Sequence, residues 1–326
     1  MMASPSATAR PMPSLGPEVA TAWSALLAAH GLARSGNLPQ GPMTFAAAVV
    51  AGLGPVAAAA TQALIAWAPD SGWRVAGPAQ GEARALLDLY LPLLSRQPGE
   101  TLTLGHLGQS LDGYIATTRG ESCFVTGPEN ILHLHCLRAL CDAVLVGAET
   151  VAADDPRLTT RLVPGDNPVR VVLDPRRRLP VERRVFQDGA APTLLVCAEG
   201  QAGPGHLGQA EVLAVPAHQG RLRLDALVAA LHRRGLCRLF VEGGGLTVSS
   251  FLGAGLLDRL QVAVAPLLIG AGRRGLSLPA PDALGDCLRP PCRVFLMGAD
   301  ILFDSQPRAN PGGGAGGASP GLVRIR

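Results

Sequence analysis

Arg238-Leu-Phe-Val-Glu-Gly-Gly-Gly-Leu-Thr-Val-Ser-Ser250 packs a strand, a turn and a helix start into one short run. The first five residues read as a buried strand, Gly243 to Gly245 as a tight turn, and Leu246 onward as a helix. A strand that passes into a helix through residues without side chains is the joint of a wound α/β sheet. At such a joint backbone amides can approach a diphosphate, and the helix N-terminus adds unsatisfied N–H groups and a favourable dipole. Alone, the turn is structural more often than functional, and it lacks the full spacing of a dinucleotide fingerprint. Glu242, a carboxylate at the C-terminal end of the strand, suits a polar ligand, with an exposed strand end as the alternative.

On either side of this joint, strand-like and helix-like runs alternate with short turns up to about residue 304. Strands are expected near 101–107, 142–147, 168–173, 192–197, 211–215, 237–242, 259–265, 292–297 and 300–304, and helices at 128–141, 224–234 and 246–254. Met297-Gly-Ala-Asp300 joins the last two strands, an antiparallel finish to a mainly parallel sheet. Before the boundary at Gln97-Pro-Gly-Glu100, residues 1–100 read as a helical N-terminal extension with a disordered start and helices at about 17–31, 44–66 and 81–94. Pro92 weakens the last of these. Residues 305–326, rich in Gly and Pro, read as a flexible tail.

The 326 residues are 48% hydrophobic and 16% charged, enough for one large domain and an accessory piece. A net charge of +3, scattered arginines and 4% aromatic residues do not suggest a nucleic-acid surface. All 28 basic residues are arginine, which rules out Schiff-base, P-loop and general-base lysine chemistry. Seven cysteines, at spacings that fit neither a zinc clip nor a redox pair, read as small buried residues in a reducing cytoplasm. His133 and His135, two apart on a helix, point to nearly opposite sides and do not share a metal. The uncharged run from Ser35 to Pro69 is broken by Gly52, Gly54 and Pro55 and dominated by alanine, so it reads as soluble helices and not a membrane span.

Arg138, on the helix starting near Pro128, and Arg161, after Asp154-Asp155-Pro156, can bind phosphate through paired charge-assisted bonds if they converge. Singly, each reads as a surface or salt-bridge arginine. Asp154 and Asp155 allow acid/base chemistry or ordinary turn chemistry, and no further carboxylate cluster completes a metal site.

The ordered set SLDG (Ser110–Gly113), GES (Gly120–Ser122), LRA around Arg138, ETVAADDPRLTTR (Glu149–Arg161), VRVVLDPRRRLP (Val169–Pro180) and VEGGG (Val241–Gly245) resembles the reductase domain of bacterial riboflavin biosynthesis. That domain, the 5-amino-6-(5-phosphoribosylamino)uracil reductase, has the dihydrofolate-reductase-like fold, and the resemblance covers residues 101–304. It implies NADPH bound by Gly108, Phe124, Thr150, Asp154, Pro175 and the turn of Gly244, Gly245, Leu246, Thr247, Val248, Ser249 and Ser250. It implies a phosphorylated aminopyrimidine held by Ser122, Arg138, Leu158, Arg161 and Glu242, with a homodimer as the assembly. Hydride would pass to C1′ of the sugar through its ring-opened imine, with Asp154 and Glu242 as the carboxylates nearest the chemistry. Arg176, Arg177 and Arg178 follow a strand, which places one of them to meet the 2′-phosphate of NADPH.

Two positions depart from the pattern. His106 stands where the family commonly has lysine, and Phe124 where it often has tryptophan. The zinc deaminase domain that often precedes the reductase has no counterpart, since the first hundred residues contain neither His-x-Glu nor Pro-Cys-x-x-Cys. Two other readings stand beside the pyrimidine reductase: the same chemistry on a different pterin or aminopyrimidine, and a non-catalytic nucleotide-binding interaction protein.

Overall fold

A computed structural model describes residues 16–46, 63–77, 79–94, 97, 99–123 and 125–308. The N-terminal part begins with helix α1 (Pro17–Ser35), whose last turn closes on Gly36. Strands β1 (Met43–Ala46), β2 (Ala63–Ala68) and β3 (Gly72–Val75) form an antiparallel sheet in that order. Helix α2 (Gly81–Tyr90) comes next, and Pro92 sits in the 3-10 turn that ends it.

The larger part starts with β4 (Leu102–Ser110), β5 (Tyr114–Thr117), α3 (Pro128–Leu140), β6 (Ala143–Gly147) and α4 (Ala148–Asp154). Next come β7 (Val169–Leu173), α5 (Arg184–Gln187), β8 (Thr193–Ala198), β9 (His206–Leu207) and β10 (Ala210–Val215). A short hairpin of β11 (Ala217–His218) and β12 (Arg221–Leu222) leads into α6 (Leu224–Arg233). The chain ends its regular structure with β13 (Arg238–Glu242), α7 (Gly245–Gly253), β14 (Arg259–Ala265), β15 (Gly272–Arg274), β16 (Cys292–Met297) and β17 (Asp300–Ser305).

Ten strands form one sheet in the order β16-β17-β14-β4-β13-β6-β7-β8-β10-β9. From β14 to β10 neighbours are parallel, and the two edges are antiparallel. The apolar run of β13 is explained by its place: it lies between β4 and β6, with both faces covered. Leu239 and Val241 face a core shared with α6 and α7, through Leu227, Leu231, Val248 and Phe251. Phe240 faces the opposite core, which holds Leu137 and Leu140 of α3. Glu242 has the parity of Phe240, so its carboxylate points toward α3.

The second core continues without a break into the N-terminal part through Trp23, Leu26, Leu87 and Tyr90. The Trp23 indole N–H donates to the Pro164 carbonyl at 3.0 Å, fastening α1 to the loop before β7. The joint at 97–100 is therefore a change of sequence character inside a continuous packing unit.

The helix expected over 44–66 is corrected. Strands occupy its two ends, with Met43 opposite Trp67 and Phe45 opposite Ile65, while residues 47–62 lie outside the described residues. Alanine favours helix locally, and cross-strand pairing overrode it here. The disordered start, and all of the tail after residue 308, also lie outside the described residues. Cys136, Cys141 and Cys197 are buried as expected, whereas Cys123 and Cys292 are exposed. No described helix is long and apolar enough to cross a membrane.

Candidate active site

The turn between β13 and α7 takes a backbone path that favours glycine, with φ +72° at Gly243 and +70° at Gly244. Gly245 is excluded from change for a different reason: a Cβ there would lie 2.1 Å from the Gly275 carbonyl oxygen. A Cβ on Gly244 would lie 3.0 Å from Thr150 Oγ1, and one on Gly147 2.7 Å from Thr247 Oγ1. The start of α4 and the start of α7 are thus nearly in contact. Gly245→Ala is expected to force this turn away from Gly275 and cost about 1–3 kcal/mol. Thermal unfolding measures the effect; a native-like value would show that the close approach is dispensable.

Glu242 and Arg138 meet across the gap between β13 and α3. Arg138 Nε donates to Glu242 Oε2 at 2.8 Å, Arg138 Nη2 donates to Oε1, and Nη1 donates to the Thr159 carbonyl at 3.1 Å. Their side chains are only 12% and 7% exposed, respectively, so the pair is a largely desolvated bidentate fork. Beside it, His135 Nδ1 accepts the Arg161 backbone N–H at 3.0 Å, and burial with the charges of Arg138 and Arg161 lowers its pKa to about 3. Arg161 is exposed, yet partial burial and the fields of Arg138 and Arg157 lower its pKa, with Glu242 opposing them. Glu242 therefore sits between its bonded partner Arg138 and the charge of Arg161, and Arg157 adds further positive charge beside Arg161.

His106 lies level with Glu242 on the adjacent strand. Its Nε2 pairs with Asn130 Oδ1 at 2.9 Å, and the Asn130 amide donates to Thr126 Oγ1 at 2.9 Å, so His106 Nε2 carries the proton. Burial lowers its pKa to about 4, leaving it neutral at pH 7. His133 is tied similarly: Tyr90 O–H donates to Nδ1 at 2.5 Å, and Nε2–H donates to Gln261 Oε1 at 2.9 Å. Asp112 of the Ser110–Gly113 segment plays a structural part, accepting from the Ser110 hydroxyl and from the Ile269 and Gly270 backbone N–H groups.

A cleft of about 1310 Å³ opens along the C-terminal ends of the parallel strands, where open α/β sheets bind ligands. Ser122, Thr150, Asp154, Pro175, Gly244, Gly245, Leu246, Thr247, Ser249 and Ser250 line it. Asp154 sits on its rim, its pKa raised by partial burial against the opposing charge of Arg273. Other expected residues lie elsewhere. Gly108 packs against Thr126 and Asn130, Val248 is in the core, and Leu158 is buried with φ +55°. Phe124 lies outside the described residues.

The cleft also gathers residues to which sequence reasoning gave no role in the site, chiefly Arg221 of the β11–β12 hairpin, Arg223 and Asp225 at the start of α6, and Arg273 and Arg274 of β15. A turn at Gln219-Gly220 was the available signal, but strands of two residues carry no periodicity.

The family model described as the RibD C-terminal domain matches residues 104–285. Among curated proteins, the 2,5-diamino-6-ribosylamino-4(3H)-pyrimidinone 5′-phosphate reductase of Methanothermobacter thermautotrophicus is 40% identical over 206 residues, covering 60% of this chain and 93% of that protein. Riboflavin biosynthesis protein RibD of Escherichia coli is 36% identical over 195 residues, which is 55% of this chain and 52% of that one. The crystal structure of a diaminohydroxyphosphoribosylaminopyrimidine deaminase/5-amino-6-(5-phosphoribosylamino)uracil reductase from Thermotoga maritima aligns with a TM-score of 0.56 at 26% identity, over 69% of this chain and 61% of that one. The chain thus spans nearly all of the Methanothermobacter reductase but about half of the Escherichia RibD protein.

Proposed function

Because this chain belongs to the RibD C-terminal domain family, we propose that it is an NADPH-dependent reductase that converts the ribosyl group of 5-amino-6-(5-phosphoribosylamino)uracil to ribityl in riboflavin biosynthesis. The observation that carries this reading is the cleft itself: Gly244, Gly245, Leu246 and Thr247 line it, and Glu242, forked with Arg138, stands just before that turn. The N-terminal end of α7, reached through the left-handed Gly243 and Gly244 and lining the cleft, fits a backbone-bound diphosphate. NADPH, when bound, supplies the hydride.

The chain's own groups bind and orient. The first N–H groups of α7 hold the diphosphate, and Thr150 closes over Gly244. Glu242, fixed in one rotamer by Arg138, accepts hydrogen bonds from the substrate, and Arg161 meets its phosphate. Ser122 and Asp154 complete the rim around the sugar, beside the apolar lining of Ile115 and Leu246. A homodimer belongs to the same reading. Val294, Phe303 and Val262 lie in one cross-strand row and Leu296, Ile301 and Val264 in the next, with Val294 and Leu296 each 51% exposed, an uncharged face that a second copy would cover.

A second reading concerns the base. The 40% identical Methanothermobacter protein is named for the 2,5-diamino pyrimidinone. Both pyrimidines are therefore assayed with NADPH, following cofactor absorbance and identifying the product by mass spectrometry, with light scattering on the same sample. Oxidation coupled to a ribityl product from either pyrimidine is expected, from a dimer. Tight NADPH binding without turnover of either would move the search to another pterin or aminopyrimidine or to a binding role, and no binding would end the reductase reading.

A further inference from the structure

Glu242 ends a row of polar side chains that crosses five strands at one level. Residues paired across neighbouring strands share a face of the sheet. The register sets Glu242 opposite His106, His106 opposite Gln261, Gln261 opposite Asp304, and Asp304 opposite Arg293. His106, Gln261 and Asp304 are buried. Helix α3 bonds the row three times: Asn130 pairs with His106, His133 with Gln261 and Arg138 with Glu242. One helix thus holds the site carboxylate and the polar groups beside it.

The N-terminal part reaches the same network twice, both times from α2. At the far end, Arg293 Nη1 donates to the Asp88 carbonyl at 2.7 Å, and its Nη2 donates to Asp304 Oδ2 at 2.7 Å. In the middle, Tyr90 meets His133, and the direction of that bond is dictated by its neighbours. The Asp304 carboxylate, also forked by Arg259, only accepts, so Gln261 turns its amide N–H to it at 3.3 Å. The Gln261 oxygen then faces His133 Nε2 at 2.9 Å, so Nε2 carries the ring proton and Nδ1 is left as an acceptor. The Tyr90 hydroxyl supplies the donor at 2.5 Å. The His133 ring stands 5.3 Å from that of His106, which is level with Glu242.

We propose that Tyr90 is a positioning residue for the reductase site, holding α3 through His133 so that Arg138 keeps Glu242 in one orientation. This assignment rests on the reductase reading above. Without the hydroxyl, His133 Nδ1 is a buried acceptor with no donor, a costly state that the ring relieves by turning away from Gln261. Asn130 and Arg138 ride on the same helix as His133, so a shift of α3 reaches His106 and Glu242 together. Tyr90 itself is buried and does not line the cleft. The N-terminal part thereby shapes a reaction it does not touch.

The test is Tyr90→Phe in the full chain, which removes one hydroxyl and keeps the ring. With 15N-labelled histidine and arginine, the His133 ring and Arg138 Nε–H resonances are both expected to shift in the variant. Turnover of the pyrimidine at saturating NADPH is expected to fall about 10-fold, with the Kd for NADPH unchanged within about twofold. Added to Glu242→Gln, Tyr90→Phe is expected to cost less than about twofold more, since the group it positions is already lost. Ile65→Val, which thins the N-terminal core from β2, lowers the melting temperature but is expected to leave kcat and the Arg138 resonance native. An unshifted Arg138 resonance overturns the assignment. So does native kcat in Tyr90→Phe, an equal loss in Ile65→Val, or a loss that multiplies in full with that of Glu242→Gln. Native protein that turns over neither pyrimidine removes the reductase reading alone, and the Arg138 resonance then decides whether Tyr90 sets the fork.

Discussion

Glu242→Gln is expected to lower kcat/KM by about 100-fold or more and to destabilise the fold by about 3–5 kcal/mol. The two effects have separate origins. Stability falls because Arg138, 7% exposed, keeps its charge and loses its partner in a site too dry to hydrate it. On the proposed reading, activity falls because a neutral amide accepts a weaker hydrogen bond from the substrate and no longer holds Arg138 in one orientation. The double variant Arg138→Met/Glu242→Leu separates them. An apolar pair of similar size is expected to restore most of the melting temperature, since a buried ion pair is roughly offset by its desolvation, yet activity stays lost. A double variant with native kcat/KM would remove Glu242 from the chemistry. A stable but inactive one keeps it there.

Acid is expected to unfold this protein well before its carboxylates titrate. Burial lowers the pKa of His30 and His106 from 6.5 to about 4, and that of His133 and His135 to about 3. Above pH 6.5 all four are neutral in folded and unfolded chains alike, and they leave stability independent of pH. As pH falls through 6.5 the unfolded chain takes up protons that the native state refuses. Stability drops from there to about pH 4 for the first pair and about pH 3 for the second. For His106 the full loss is on the order of 3 kcal/mol, and with His30 and His133 added the sum rivals a typical total of about 5–15 kcal/mol. Melting temperature by circular dichroism should fall steeply between pH 6.5 and 5, and His106→Asn should flatten the slope by about one proton. A melting temperature constant over that interval would falsify the buried neutral assignments.

Much of the fold was legible because the parallel strands are apolar on both faces. Val169–Leu173 and Arg238–Glu242 announce themselves as central strands, and Gly243 to Gly245 mark where one hands over to a helix. What misled was alanine. The run after Met43 carries local helix preference, while the pairing of Met43 with Trp67 and the 5.0 Å contact of Trp67 with Trp73 are long-range facts. Helix α4, at Ala148–Asp154, was too short to show a period and read as a motif-bearing loop. In the site, Glu242 and Arg138 each carried a chemical signal, but 104 residues separate them and only the packing of α3 against β13 makes them a pair. Leu158 and Val248 came from motif position alone, and in three dimensions their side chains belong to the interior. Arg221 had no signal beyond its charge and the neighbouring Gln219-Gly220 turn.

The continuous core beneath α1 and α2 has a consequence for how such a chain can evolve. Trp23 reaches the Pro164 carbonyl, Tyr90 bonds His133, and Leu87 and Leu137 belong to one apolar cluster. An appended module with its own core can be shuffled between genes at its linker with little regard for the domain downstream. Here a crossover near Glu100 would bring together halves whose contact residues were never selected together, and the new N-terminal partner would have to match α3 side chain by side chain. Helices α1 and α2 and the central sheet are thus constrained together, since a change in one calls for a matching change in the other.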